Sequence, residues 1–323
     1  MTDERDSRGD DQPGGADGAG ASTGDPSPDG GVAASGATGT GDAAATAEPV
    51  RRSARFPSGD PLAAVATREY RILVRSRWAV GLVALFGLFT VAVVRFGGSA
   101  VGPGRADAVV ATVVELGVYL VPLAAVAVGY DTVVGADERG SLELVLALPL
   151  SRAELLVGRF AGRAAVLGGA TLVGFLPGGL VLTLTLGPGG LGAYAAVALA
   201  AVALGWAVLA IATLVSTVAV EKTHALGLSL AGWLWVVLLH DLVAFAAIAG
   251  LDLGSRAVAV AVLLNPVDCF RVLALSQVDV VAGGFGSVLA AAGLSVPVVA
   301  AALAGWVVVP TAVAARLLGR RRV

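Results

Sequence analysis

Cysteine and lysine each occur once in the 323 residues, as Cys269 and Lys222, and methionine occurs only as Met1. A single cysteine excludes intrachain disulfides, thiolate metal clusters and C-x-x-C redox chemistry. A single lysine excludes a phosphate-binding P-loop, because G-x-x-x-x-G-K-[ST] needs lysine directly after glycine and Lys222 follows Glu221. If ATP drives the work of this chain, another chain holds the nucleotide. Two histidines, His224 and His240, leave little for a metal site. Charge is scarce too, at 14 % of residues, where soluble domains carry roughly 25 %. The net charge of −2 excludes a general polyanion binder, so nucleic acid is not an expected partner. In place of these residues, 56 % of the chain is hydrophobic and the mean hydropathy is +0.83. That is the composition of an all-α integral membrane protein.

The hydrophobicity is not evenly spread. Residues 1–57 are Gly, Ala, Asp, Ser, Thr and Pro and hold 10 of the 24 acidic residues. Such a segment cannot bury enough surface to offset its ordering entropy and reads as a disordered acidic tail; it has no apolar run of the kind a signal peptide needs. Residues 58–323 form the membrane domain. Asp60-Pro61 is a helix start, with Asp60 as cap and Pro61 at the first helical position. Leu62, Val65, Ala66, Ile72 and Leu73 follow on one side, with Arg68, Arg71 and Arg75 on another, as in an amphipathic helix lying at the membrane interface. Six stretches are then long enough to span: 78–94, 108–130, 164–186, 191–220, 224–249 and 288–315. The apolar run 257–264 is too short, and Asn265-Pro266 and Asp268 stop it. With six spans and the N-terminus inside, 16 Arg/Lys flank the cytoplasmic ends and 4 the outer ends. The positive-inside rule therefore predicts both termini in the cytoplasm of a multi-pass plasma-membrane protein.

The link after the second span, 131–163, is the most informative segment. It places charged Glu138 and Arg139 before a glycine turn at Gly140. A short apolar-faced run with Leu142, Glu143 and Leu146 follows, then a stop at Pro149, then Ser151 with Glu154 three residues on, a capping box for the next helix. A charged, membrane-parallel helix of this kind is a docking element for a cytoplasmic partner; a plain interhelical loop is the alternative.

The pattern E-R-G-S-L-E-L…P-L-S-R…G-R closely resembles the coupling helix of permease subunits of type-two ABC exporters. The resemblance extends over about residues 60–323. It implies a cytoplasmic ABC ATPase partner that binds the ATP, a second permease copy in a homodimer, and no enzymatic activity or cofactor in this chain. The coupling contacts then fall on Glu138, Arg139, Gly140, Leu142, Glu143, Leu146 and Pro149. Within that family, Tyr130-Asp131 through Gly135, Glu221-Lys222 with Ala225 and Gly227, Trp233, Asp241 and the stretch Leu263–Arg271 are similar to permeases that serve maturation of the copper site of nitrous oxide reductase. That branch implies a periplasmic β-helical partner. Export of a drug, lipid or polysaccharide is the rival within the family, and a non-transport membrane scaffold the rival outside it. Copper passage needs soft ligands, and Cys269 with Met1 supplies too few, so mechanical work is the expected contribution of this subunit.

The outer segment 250–287 is too long for a simple hairpin. Asn265-Pro266 starts a helix in it, with Asp268 in the first turn. Asn265, Pro266, Asp268, Phe270 and Arg271 are the candidate contact with an external partner, Phe270 acting as an exposed anchor; a membrane-lying gate helix is the alternative. Three acids, Glu115, Asp131 and Asp241, sit in or beside apolar spans, where charge is expensive. Each makes a structural polar contact or takes part in transport. Glu115 can pair with Arg271, and Arg271 can also meet Asp268 at i+3. A serine-histidine hydrolase is disfavoured: Ser229 and His240 lie eleven residues apart on one expected helix, about 16 Å.

Overall fold

The computed structural model describes residues 61–97, 104–138, 151–251, 254–276, 278 and 293–320. The acidic tail lies outside them, as do positions 139–150 of the expected docking segment, positions 252, 253, 277 and 279–287 of the outer segment, and positions 288–292 of the expected last span. Among the described residues every regular element is helical.

Helix α1 (Pro61–Arg75) begins where Pro61 predicts and turns sharply at Arg77, φ 63°, into α2 (Trp78–Phe96). Helix α3 (Arg105–Gly129) returns, and a short turn α4 (Val134–Asp137) follows it. The long α5 (Arg152–Leu186) starts at the expected box: Ser151 Oγ accepts from Glu154 N at 3.1 Å and Glu154 Oε2 accepts from Ser151 N at 2.8 Å. Helix α6 (Leu191–Val218) is the central one, packed against α3, α5 and three later helices. The fifth apolar run is α7 (Lys222–Leu234), a π-turn at Trp235–Leu239 and α8 (His240–Gly250), read together as one span. Helices α9 (Ser255–Leu263) and α10 (Pro266–Leu275) meet at 106°, and α11 (Val296–Arg320) closes the bundle.

Among the described residues six helices are long and apolar enough to cross a membrane, in the expected order, and α9 with α10 passes the same test only as a pair bent by 106°. Two boundaries differ. The third span starts at Arg152 rather than 164, because Arg159 and Arg163 find partners inside the bundle instead of ending the helix. Its 35 residues run roughly 52 Å at about 1.5 Å per residue, longer than a hydrocarbon core of about 30 Å. The last span runs Val296–Arg320, after Gly293 at φ 71°.

Glycines set the closest helix approaches. A Cβ at Gly162 would lie 2.6 Å from the Ala66 carbonyl oxygen, and one at Gly158 would lie 2.8 Å from Val65 Cβ, so α1 sits directly on α5. Gly174 and Gly178 face α2, where Thr90 Oγ1 donates to the Gly174 carbonyl at 3.1 Å. The main core gathers side chains of α2, α3, α5, α6 and α10, among them Phe86, Val114, Leu167, Leu204 and Phe270. The fifth span stands apart: Ala225, Ser229 and Val237 are its only buried residues, and Trp235, Leu238, Leu242 and Phe245 face outward.

Candidate functional site

Two polar networks lie apart in the bundle, one where α3 ends and the other around the middle of α3 and of the fifth span. The first surrounds Arg163, whose side chain is 7 % exposed on α5. Its Nε donates to Glu69 Oε1 of α1 at 2.9 Å, and one terminal nitrogen donates to Asp131 Oδ1 at 2.6 Å and to the Val128 carbonyl. One turn earlier, Arg159 donates to the Thr132 carbonyl at 2.9 Å. Ser216 Oγ of α6 accepts from Val133 N and Val134 N at 3.0 and 3.2 Å. Lys222 approaches Asp131 Oδ2 at 3.6 Å and lies 5.5 Å from the centre of the Tyr130 ring, a cation–π contact. Glu138 Oε1 accepts from Lys222 N at 2.7 Å, satisfying an orphan donor at the start of α7.

The backbone from Val128 to Glu138 is thereby tied to α1, α5, α6 and α7. On the far side of the expected docking segment, the capping box holds Ser151, and Arg152 donates to the Leu318 carbonyl of α11 at 3.4 Å. Both ends of the segment are joined to the spans. Of the residues expected to dock a partner, Glu138 is placed; Arg139, Gly140, Leu142, Glu143, Leu146 and Pro149 lie outside the described residues.

The second network is built on the α9–α10 bend. Asn265 caps α10, its Oδ1 accepting from Val267 N at 3.0 Å. That bond fixes which way the amide points. Its Nδ2 therefore faces the Val236 carbonyl at 2.9 Å, in the π-turn, together with His240 Nδ1 at 3.1 Å and Asp268 Oδ2 at 3.3 Å. Arg271 donates to Asp241 Oδ2 at 2.6 Å and Asp268 Oδ1 at 3.3 Å, and its Nε lies 3.9 Å from Glu115 Oε2. Glu115 and Asp241, whose side chains are 54 % and 37 % exposed, open this cluster to the outside of the bundle.

His240, Asp241 and Asp268 bring ligand-type atoms within 4.8 Å of one another. An amide NH₂ already stands among these atoms, and a guanidinium spans both aspartates. The donor set is thus engaged in a hydrogen-bonded charge cluster.

All three intramembrane acids have cationic partners: Glu115 and Asp241 meet Arg271, and Asp131 meets Arg163 and Lys222. The expected Glu115–Arg271 and Asp268–Arg271 approaches are both present. One expectation is corrected. Phe270 is 1 % exposed in the main core, and Asn265 and Pro266 are buried with it, so this stretch does not display an aromatic anchor. Its apolar face packs inward against α3, α6 and α11. Sequence reasoning passed over Glu69, Arg163 and Ser216, met Arg159 only as the end of the family pattern, and weighed His240 only as a metal ligand or catalyst. The available signals were Arg159 and Arg163 at i,i+4 within an apolar helix and Glu69 on the apolar face of α1.

The ABC-2 family transporter protein model matches residues 63–323. A probable ABC transporter permease protein NosY from Pseudomonas aeruginosa is 37 % identical over 269 residues, covering 80 % of this chain and 97 % of that protein. A protein of the same description from Stutzerimonas stutzeri is 32 % identical over 268 residues, again 80 % of this chain and 97 % of the relative.

Proposed function

The chain belongs to the ABC-2 family of membrane transporter proteins, and from that premise we propose that it is a NosY-like permease whose spans are moved by a separate ATPase subunit. The observation that carries this reading is the double anchoring of the segment between Glu138 and Ser151. A force applied to that segment by a docked ATPase reaches α3 through Asp131 and Thr132, and α5 through Arg159, Arg163 and the Ser151 cap. A loop hinged at one end would dissipate the same motion.

The arginine-rich end is cytoplasmic in this reading, by the 16-to-4 excess of Arg and Lys, and both termini lie there. A second copy packs on the outward face of the fifth span, the span with fewest buried residues. At the opposite end, a periplasmic β-helical partner meets the outer face of α9, none of whose residues is buried. The system serves maturation of the copper site of nitrous oxide reductase. This subunit contributes motion, since its one cysteine, Cys269, is buried and its thiol donates to the Val262 carbonyl at 3.3 Å. Purification of the full complex in mild detergent tests the reading. Recovery of an ABC ATPase, a second copy of this chain and a β-helical periplasmic protein is the expected result. Recovery of the chain without an ATPase, from cells that make one beside it, overturns the reading.

A further inference from the structure

A cavity of about 450 Å³ opens at the arginine-rich end, where α1, the start of α2, the end of α3, α5 and the start of α7 converge. Four cations line it, Arg68, Arg159, Arg163 and Lys222, against two carboxylates, Glu69 and Asp131. Both carboxylates are engaged by Arg163. The cavity therefore keeps a surplus of two positive charges. A shallow groove along α1 adjoins it, sharing Arg68 and Ile72 and adding Arg71 and Arg75.

We propose that this cavity binds the phosphate headgroup of an anionic phospholipid. Three features select a phospholipid over a free anion. Trp78 opens α2, Tyr130 follows α3 and Lys222 opens α7, so the cavity lies at the ends of spans, the level at which headgroups sit. Ile72, Leu73, Trp78 and Ala127 give it an apolar wall, which a glycerol backbone and the first methylenes use and an inorganic phosphate does not. Arginine at the floor and rim matches the phosphate oxygens with paired N–H donors. Bound there, one lipid bridges α1 to α7 beside the chain of ion pairs Glu69–Arg163–Asp131–Lys222.

The test uses the full chain purified in mild detergent, with the unfolding midpoint read by thermal denaturation. Phosphatidylglycerol, phosphatidylcholine and inorganic phosphate are added at equal phosphorus. A ligand of the native state raises the midpoint. The expected result is a rise with phosphatidylglycerol and none with the other two. Arg68→Gln with Arg71→Gln, both at exposed positions of α1, abolishes the rise. Arg95→Gln with Arg105→Gln, at the opposite end of the bundle, keeps it. Because the readout is the shift relative to each variant's own baseline, an altered intrinsic stability does not mask the outcome. Equal shifts with phosphatidylcholine, an equal shift with inorganic phosphate, or equal loss in the opposite-end variant each overturn the assignment.

Discussion

Arg163 and Arg271 are each a single guanidinium set among several carboxylates, and that arithmetic decides what their loss does. Removing one partner of a buried ion pair leaves the other uncompensated, at a cost of about 3–5 kcal/mol. Arg163→Ala strands Glu69 and leaves Asp131 to Lys222, so it is expected to cost that much in chemical unfolding, while Arg163→Lys recovers only part, because one ammonium cannot reproduce the forked geometry. Arg271 distinguishes two accounts of its network. If it served only its i+3 neighbour Asp268, Arg271→Ala would cost about 0.2–0.5 kcal/mol. Since it also joins Asp241 and lies near Glu115, the loss is expected to exceed about 1 kcal/mol, and adding Asp241→Asn to Arg271→Ala is expected to recover part of it. Unfolding curves of the single and double variants check both statements.

The elements were legible where one local signal decided them. Pro61, the Ser151–Glu154 box and Asn265-Pro266 each mark a helix start that the structure shows. The six apolar runs reappear as six helices. The unbroken run of α5 from that box into the third span was not legible, because the partners that admit Arg163 into the bundle lie 94 and 32 residues away along the chain. The same limit hid the burial of Phe270: composition suggests an aromatic beside an arginine at a surface, and only packing against α3, α6 and α11 turns it inward. Glycine in α5 provides a test at this scale. Gly162→Ala brings a Cβ against the Ala66 backbone at 2.6 Å, whereas Gly169→Ala meets nothing within 4 Å. The first is expected to lose about 1–3 kcal/mol by overpacking and to free α1 for proteolysis. The second is expected to be neutral or slightly stabilising. Equal protease sensitivity of α1 in the two variants contradicts the docking of α1 on α5.

For the whole molecule, the account joins a membrane domain of known family to a partner that supplies the energy. Orientation is checked by labelling introduced cysteines, and the buried Cys269 gives little background. A cysteine at position 323 is expected to react only from the cytoplasmic side. The central claim is that motion enters through the segment between Glu138 and Ser151, and the most direct measurement is ATP hydrolysis and transport-dependent maturation in the reconstituted complex with that segment altered. Glu138→Lys combined with Arg139→Glu, and separately Gly140→Pro, are expected to leave insertion and folding intact while abolishing maturation and the permease's stimulation of the ATPase. Variants that insert, fold, stimulate hydrolysis and support maturation at the unaltered level would contradict the account.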